Sequence, residues 1–190
     1  MESIITAATV LTMYFNAVNS NDANYMYNGE MEDGVVNKIE VYAQNDKKQM
    51  EQKMEYCYTY DEQGRLQNKE MLSWNEATQQ WVKSSRLSYK YYKNGYNVEV
   101  SYWNAEQQQY DLPTEVTLYR SQAPNLTTVK TYKMNDQKDN MFLSSSMVVM
   151  EPLDDRQLAN NKISALSYIH FPGRLVSFAR RLFVFNLKIT

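Results

Sequence analysis

Between residues 21 and 150 the chain is dominated by alternation of apolar and polar positions with a period of two. Tyr96, Val98, Val100 and Tyr102 alternate with Asn97, Glu99 and Ser101. Trp81, Leu87, Tyr89 and Tyr91 hold one parity, interrupted by Lys83 and Ser85, while Ser84, Arg86, Ser88 and Lys90 hold the other. Each segment predicts a strand with one packed face and one wet face. Asn94-Gly95 lies between them and predicts a two-residue type I′ turn with Gly95 in the left-handed region, since both residue types tolerate positive φ. Asp61-Glu62-Gln63-Gly64 predicts a second turn. There Asp61 accepts from nearby backbone N–H groups and Gly64 takes the left-handed position.

The same pattern is written twice between Glu55 and Glu115. The loop WNEATQQW from Trp74 to Trp81 answers WNAEQQQY from Trp103 to Tyr110, 29 residues on, and Gly64 answers Gly95 at 31. A fainter copy precedes them, with Gly34 standing 30 before Gly64 and followed by Val35, Val36, Ile39, Val41 and Tyr42. Another follows, with Tyr132 standing 29 beyond Trp103 and KMNDQKDNMF reading as the same loop lengthened to Phe142. Repeats of this length mark stacked supersecondary units. The prediction is an all-β antiparallel meander of about eight strands, built from four hairpin units of about 30 residues between Tyr25 and Met150. It forms an open twisted sheet or half-barrel, with a closed lipocalin-like barrel as the alternative. A membrane barrel is excluded, because Lys, Arg, Glu and Ser interrupt both faces. Edge strands near residues 35 to 42 and 142 to 150 are long and lightly protected, which leaves them open to self-pairing into homo-dimers.

Both ends depart from the pattern. Residues 4 to 15 form an apolar run too short to span a bilayer but suited to a signal-peptide h-region, with Val18 and Ser20 at cleavage-site positions. Residues 1–20 therefore read as a signal peptide, although Met1, Glu2 and Ser3 supply no basic n-region; a structural strand or helix is the alternative. Residues 21–150 form the β-hairpin repeat domain, and residues 151–190 a basic apolar tail. In the tail Glu151, Asp154 and Asp155 stand against Arg156, Lys162, Arg174, Arg180, Arg181 and Lys188, leaving +3 there and −5 in residues 1 to 150. Three readings of its structure stay open: a cover for one sheet face, a basic amphipathic helix for an anionic membrane, and a tail translated out of frame.

Composition sharpens the β reading. With 16 Tyr against 6 Phe, the strands carry rings whose hydroxyls stay wet, which indicates a thin sheet with partly covered faces. A net charge of −2 gives no general attraction to nucleic acid. The lone Cys57 lies opposite Tyr56, Tyr58 and Tyr60 by alternation and reads as a structural thiol. The single histidine, His170, is in the tail, so no metal cluster and no Ser-His or Cys-His pair can be assembled from the strands. Asp61, Glu62, Glu99 and Glu115 read as solvated surface rather than an acid/base pair. No catalytic residue, metal or cofactor is expected.

The paired rings Trp74/Trp81 and Trp103/Tyr110 are the candidate binding residues. As clasps they stack across the mouth of each hairpin; as a platform they lie open for a sugar. The functional expectation is a non-enzymatic structural and interaction module with a protein or glycan partner, and the alternative is a glycan-binding domain using exposed Trp and Tyr.

Tyr58-Thr59-Tyr60-Asp61-Glu62-Gln63-Gly64-Arg65-Leu66 resembles the Y-x-Y-D-x-x-G-R-L signature of YD repeats, found in exported bacterial proteins of the Rhs type. The next copy departs from it, with Tyr92 in place of the Asp and no Arg after Gly95. Over residues 25 to 150, the alternation of such turns with the Trp-Asn loops is similar to small secreted Bacteroidales proteins grouped as a domain of unknown function. The resemblance implies a secreted, periplasmic or cell-surface location and brings no catalytic residue.

Overall fold

A computed structural model describes residues 4–20, 22–123 and 125–150. The chain divides into two units, Met1–Pro152 and Leu153–Thr190, and everything below concerns the first. The three readings of the tail fall outside the described residues.

The first unit holds one helix, α1 (Ala7–Val18), followed by ten strands. These are β1 (Tyr25–Glu32), β2 (Val35–Gln44), β3 (Met50–Tyr60), β4 (Leu66–Asn75), β5 (Gln80–Tyr92), β6 (Gly95–Asn104), β7 (Gln109–Tyr110), β8 (Glu115–Ala123), β9 (Leu126–Met134) and β10 (Met141–Met150). All pair antiparallel, each with its neighbour in sequence, except that the two-residue β7 hangs on β6 beside the main path and β8 takes the next place. The sheet is the expected meander and it is open, with β1 and β10 at its two ends, so the closed barrel is excluded. Four strand–turn–strand units account for eight strands of the main path, and β10 adds a ninth. Val35–Gln44 is not an edge: β1 pairs with it along its length, and the free edges are β1 and β10.

The turns explain the repeat. Asp33 and Gly34 both have positive φ, 50° and 79°, and close β1–β2 as the left-handed pair a type I′ hairpin needs. At Asp61–Gly64 the expectation is met. Asp61 Oδ1 accepts the N–H of Gln63 at 3.0 Å and of Arg65 at 2.9 Å, and Gly64 has φ 69°. Between β5 and β6 the turn residues are Lys93 and Asn94, while Gly95 opens β6 opposite Tyr92 with φ 148°. The expected Asn94-Gly95 turn is thus displaced by one residue. On the far side of β6 the Tyr119 carbonyl of β8 comes so close to Gly95 that only a glycine fits there.

The long loops share one device. Asn75 Oδ1 accepts the N–H of Ala77 and Thr78, and Asn104 Oδ1 accepts those of Glu106 and Gln107, with Gln79 and Gln108 left-handed at φ 50° and 53°. The loop after β9 is built likewise around Asn135, but it closes with Met134 opposite Met141. Phe142, the expected closing residue, pairs one step further in with Lys133, and Tyr132 with Leu143. The Asn fixes the loop and the residue just before it takes the clasp position, which here is a methionine.

One face of the sheet is packed. Val36, Ile39, Val41 and Leu66 are buried there with Val10 of α1, and Tyr56, Tyr58, Tyr60 and Tyr89 pack half-buried around them. The residues read as a signal peptide are this helix. It starts at a capping box in which Thr6 and Thr9 each accept the other's backbone N–H, and Val10 is only 2% exposed. Its entry is stitched to the Asp61 turn: the Ala7 N–H donates to the Gly64 carbonyl at 3.0 Å and the Leu66 N–H to the Ile5 carbonyl at 2.8 Å. Tyr91 Oη donates at about the same distance toward the carbonyls of Ile5 and Leu66, and the Gly29 N–H donates to Tyr14 Oη. No helix among the described residues is long and apolar enough to cross a membrane.

The opposite face is uncovered among the described residues, and Cys57 lies on it, opposite Tyr56, Tyr58 and Tyr60 as alternation predicts. A bulge in β5 changes the rest of the parity. Leu72 pairs with Lys83 and Met71 with Ser85, so Ser84 is the extra residue. Trp81 and Lys83 therefore share the open face with Arg86, whereas Leu87, Tyr89 and Tyr91 point to the packed side. The single parity expected for Trp81, Leu87, Tyr89 and Tyr91 does not hold.

Candidate functional site

The four candidate rings come together in the pairs expected. Trp74 stands opposite Trp81 on β4–β5 and Trp103 opposite Tyr110 on β6–β7. In each pair the ring centroids are 5.1 Å apart, with interplanar angles of 68° and 73°, the edge-to-face arrangement that aromatic quadrupoles favour. All four residues are half-buried. Both clasps lie on the open face, and two residues that were not expected pack on the second. Lys83 Nζ sits 4.9 Å from the Trp103 ring centre and the Arg86 guanidinium 4.3 Å from that of Tyr110, so cations occupy the ring faces of the second clasp. Lys83 also lies 3.7 Å from Glu70. Nothing short of the bulge at Ser84 could have brought Lys83 and Arg86 to one face, and a bulge leaves no mark in period-two counting.

The interior of this face is strongly desolvated. Glu55 and Ser101 are buried, and Cys57 Sγ lies 3.5 Å from Glu55 Oε1. Burial first, and the Glu55 carboxylate second, push the Cys57 thiol up to about 11, so it is protonated at neutral pH and is no nucleophile. Tyr110 is pushed up to about 12 by burial, with the nearby Glu70 charge adding to it. Its hydroxyl and Arg86 Nε are buried without hydrogen-bond partners among the described residues. Of the four carboxylates read as surface, Asp61 is ion-paired with Arg65 across its turn, and Glu99 with Lys90 and Glu115 with Lys133 across adjacent strands.

Among the described residues the first clasp, unlike the second, carries no cation. Trp74 lines an open concavity of about 470 Å³ together with Tyr42, Glu51, Gln52, Glu76 and Gln79. An aromatic ring with amide and carboxylate groups around it is chemistry that holds a polyhydroxylated ligand.

On the packed face, Lys69 Nζ lies 3.9 Å from the Tyr56 ring centre, and burial holds its pKa down at about 8. The tyrosines shift the other way. Burial raises Tyr60 and Tyr89 to about 12 and raises Tyr58, Tyr91 and Tyr96 as well. The two effects oppose each other in pH. Between about 8 and about 10.4 the unfolded chain carries the Lys69 proton that the folded chain lacks, so folding gains as pH rises. Above about 10 the unfolded tyrosines lose protons that the folded ones keep, and stability falls as pH climbs toward about 12. Urea midpoints are therefore expected to hold or rise slightly between pH 8 and about 10 and to drop steeply beyond. Lys69→Met should remove the rise and leave the drop. A midpoint that stays level through pH 12 would show that the tyrosines are not desolvated.

The sequence model of a family of unknown function, DUF3836, matches residues 2–122. Among solved structures, a protein of unknown function from Bacteroides fragilis NCTC 9343 is similar with a TM-score of 0.58 at 28% identity, over 70% of this chain and 95% of its own. A DUF3836 protein from Bacteroides vulgatus ATCC 8482 gives 0.47 at 24% identity over 50% and 97% of the two chains. One from Parabacteroides distasonis ATCC 8503 gives 0.35 at 17% over 66% and 89%. No curated protein matches.

Proposed function

We propose that this chain, which belongs to the DUF3836 family of unknown function, is a non-enzymatic interaction module that presents the open face of its sheet to a protein partner. The observation that supports this reading is the pair of aromatic clasps on one face left uncovered by the described residues, the second of them carrying Lys83 and Arg86 on its rings. Trp, Tyr and Arg held rigid on a desolvated surface are the side chains that dominate binding energy at protein interfaces. The locked edge-to-face rings lose little further rotamer freedom on binding, which lowers the entropic cost of association. Export to the periplasm, the cell surface or the medium is part of the proposal. It is supported by the apolar run from Ile4 to Phe15 and by relatives from Bacteroides and Parabacteroides. The Asp61-capped turn also supports reading Tyr58–Leu66 as YD-like, since its Asp and Gly do the work that such a motif requires of them.

A second reading is favoured by the concavity at Trp74: glycan binding confined to the first clasp, since the ring faces of Trp103 and Tyr110 are taken by cations. A broad glycan array with the full chain separates the two. Silence is the expected result. A saccharide that binds, and loses at least about tenfold in affinity on Trp74→Ala while Trp103→Ala leaves it unchanged, would move the function to glycan recognition.

A further inference from the structure

The two edges of the sheet are guarded very differently. β1 carries Glu30 and Glu32 and a register shift at Glu30/Met31, devices that discourage strand addition. β10 reads MFLSSSMVVM, ten residues without a charge, and Phe142, Leu143, Met147, Val148 and Met150 are 46 to 57% exposed. Its far side carries no strand among the described residues. Its row of free backbone N–H and C=O groups is a template on which another strand can pair along its length.

The register with β9 indicates which strand fits. Met141, Leu143, Ser146, Val148 and Met150 pair with even-numbered residues of β9, and Phe142, Ser145, Met147 and Val149 with odd-numbered ones, the bulge at Ser144 resetting the parity. With faces assigned in this way, antiparallel pairing of β10 with a second β10 about an axis at Ser146 sets Leu143 against Val148, Phe142 against Val149 and Met141 against Met150. All ten residues overlap, every large apolar side chain at the two ends meets another on the same face, and no like charges oppose.

We propose that the protein is a homodimer joined through β10, antiparallel about a two-fold axis at Ser146, which makes the two sheets continuous. This goes beyond the reading of the clasp face, uses a different surface and stands or falls separately from it. Ser146 is exposed, so a lysine there leaves the protomer intact but puts two like charges face to face on the axis. In sedimentation, the full chain is expected at twice the chain mass and Ser146→Lys at the chain mass, with unchanged circular dichroism. In a Cys57→Ser background, Ser146→Cys should oxidise to a covalent dimer, since opposed Cα atoms of an antiparallel pair lie about 4.5 to 5.5 Å apart, within disulfide reach. Met26→Cys on β1 should stay monomeric on the gel. A monomeric wild type, a dimer that survives Ser146→Lys, or a Ser146→Cys protein that does not cross-link would each overturn the proposal.

Discussion

Gly95→Ala is expected to destabilise the sheet by about 3 kcal/mol or more, well beyond the ordinary cost of alanine in a turn. Two effects add. At φ 148° an L side chain is strained, and the added Cβ would stand 1.9 Å from the Tyr119 carbonyl oxygen and 2.9 Å from its carbon. Both atoms belong to the backbone of the paired strand, so no rotamer change relieves the contact, and β6 and β8 must separate where Gly95 pairs with Arg120. Gly64→Ala provides the contrast. Its φ is 69°, and a Cβ there meets nothing within 4 Å, so it should cost about 1 kcal/mol from conformation alone. Urea melts of the two variants separate a glycine required by its neighbour from one required by its turn. Equal shifts would mean that the approach of Tyr119 is misplaced.

A second large effect is expected at the helix. Val10→Asp should cost roughly 3 to 5 kcal/mol, because a carboxylate would be placed among Val36, Ile39, Val41 and Leu66, whose side chains offer it neither a hydrogen bond nor a charge. Against a typical domain stability of about 5 to 15 kcal/mol that is a large share, so the variant should melt far below wild type. Val10→Ala should cost about 2 kcal/mol through the cavity alone. If Val10→Asp melts with wild type, α1 is not seated on the sheet. The same helix decides the export proposal. Protein made in its own host that begins near Asn21 would have lost α1 and the cover over those four side chains, whereas an intact Met1 would refute export by cleavage and leave α1 as a permanent part of the core.

Most of the architecture was legible because a meander is a local object. Each strand announces itself by alternation, and the Asp61 and Trp-Asn loops by the residues that cap them, so strands, turns and clasp pairs could be placed from neighbours in sequence. What escaped depends on a third partner. The need for glycine at position 95 comes from Tyr119, 24 residues beyond it, and no count along β5 and β6 contains it. Trp81 was assigned to the wrong face relative to Tyr89 because one bulged serine inverts parity without changing composition. Lys83 and Arg86 escaped the candidate site for the same reason. Lys69 of β4 carries no mark in the alternation; it is held over the rings of Tyr56 and Tyr58 on the packed face. The helix was ambiguous because an uncharged apolar run suits a leader and a core equally, and its backbone bonds to the Asp61 turn are contacts between segments distant in sequence that composition does not contain.

The stitching of α1 has a consequence for how the domain opens. Apart from the short β7, each strand pairs only with the strands beside it along the meander, so stability is distributed nearly as in a one-dimensional chain of coupled units, and opening begins at an end. The N-terminal end is tied by α1 across β1 to β4, with one bond spanning from Tyr91 back to Ile5. The C-terminal end has no such tie among the described residues. Amide hydrogens should therefore exchange fastest in β10 and β9 and slowest around β3 to β5, giving the sheet a zipper with one sewn end.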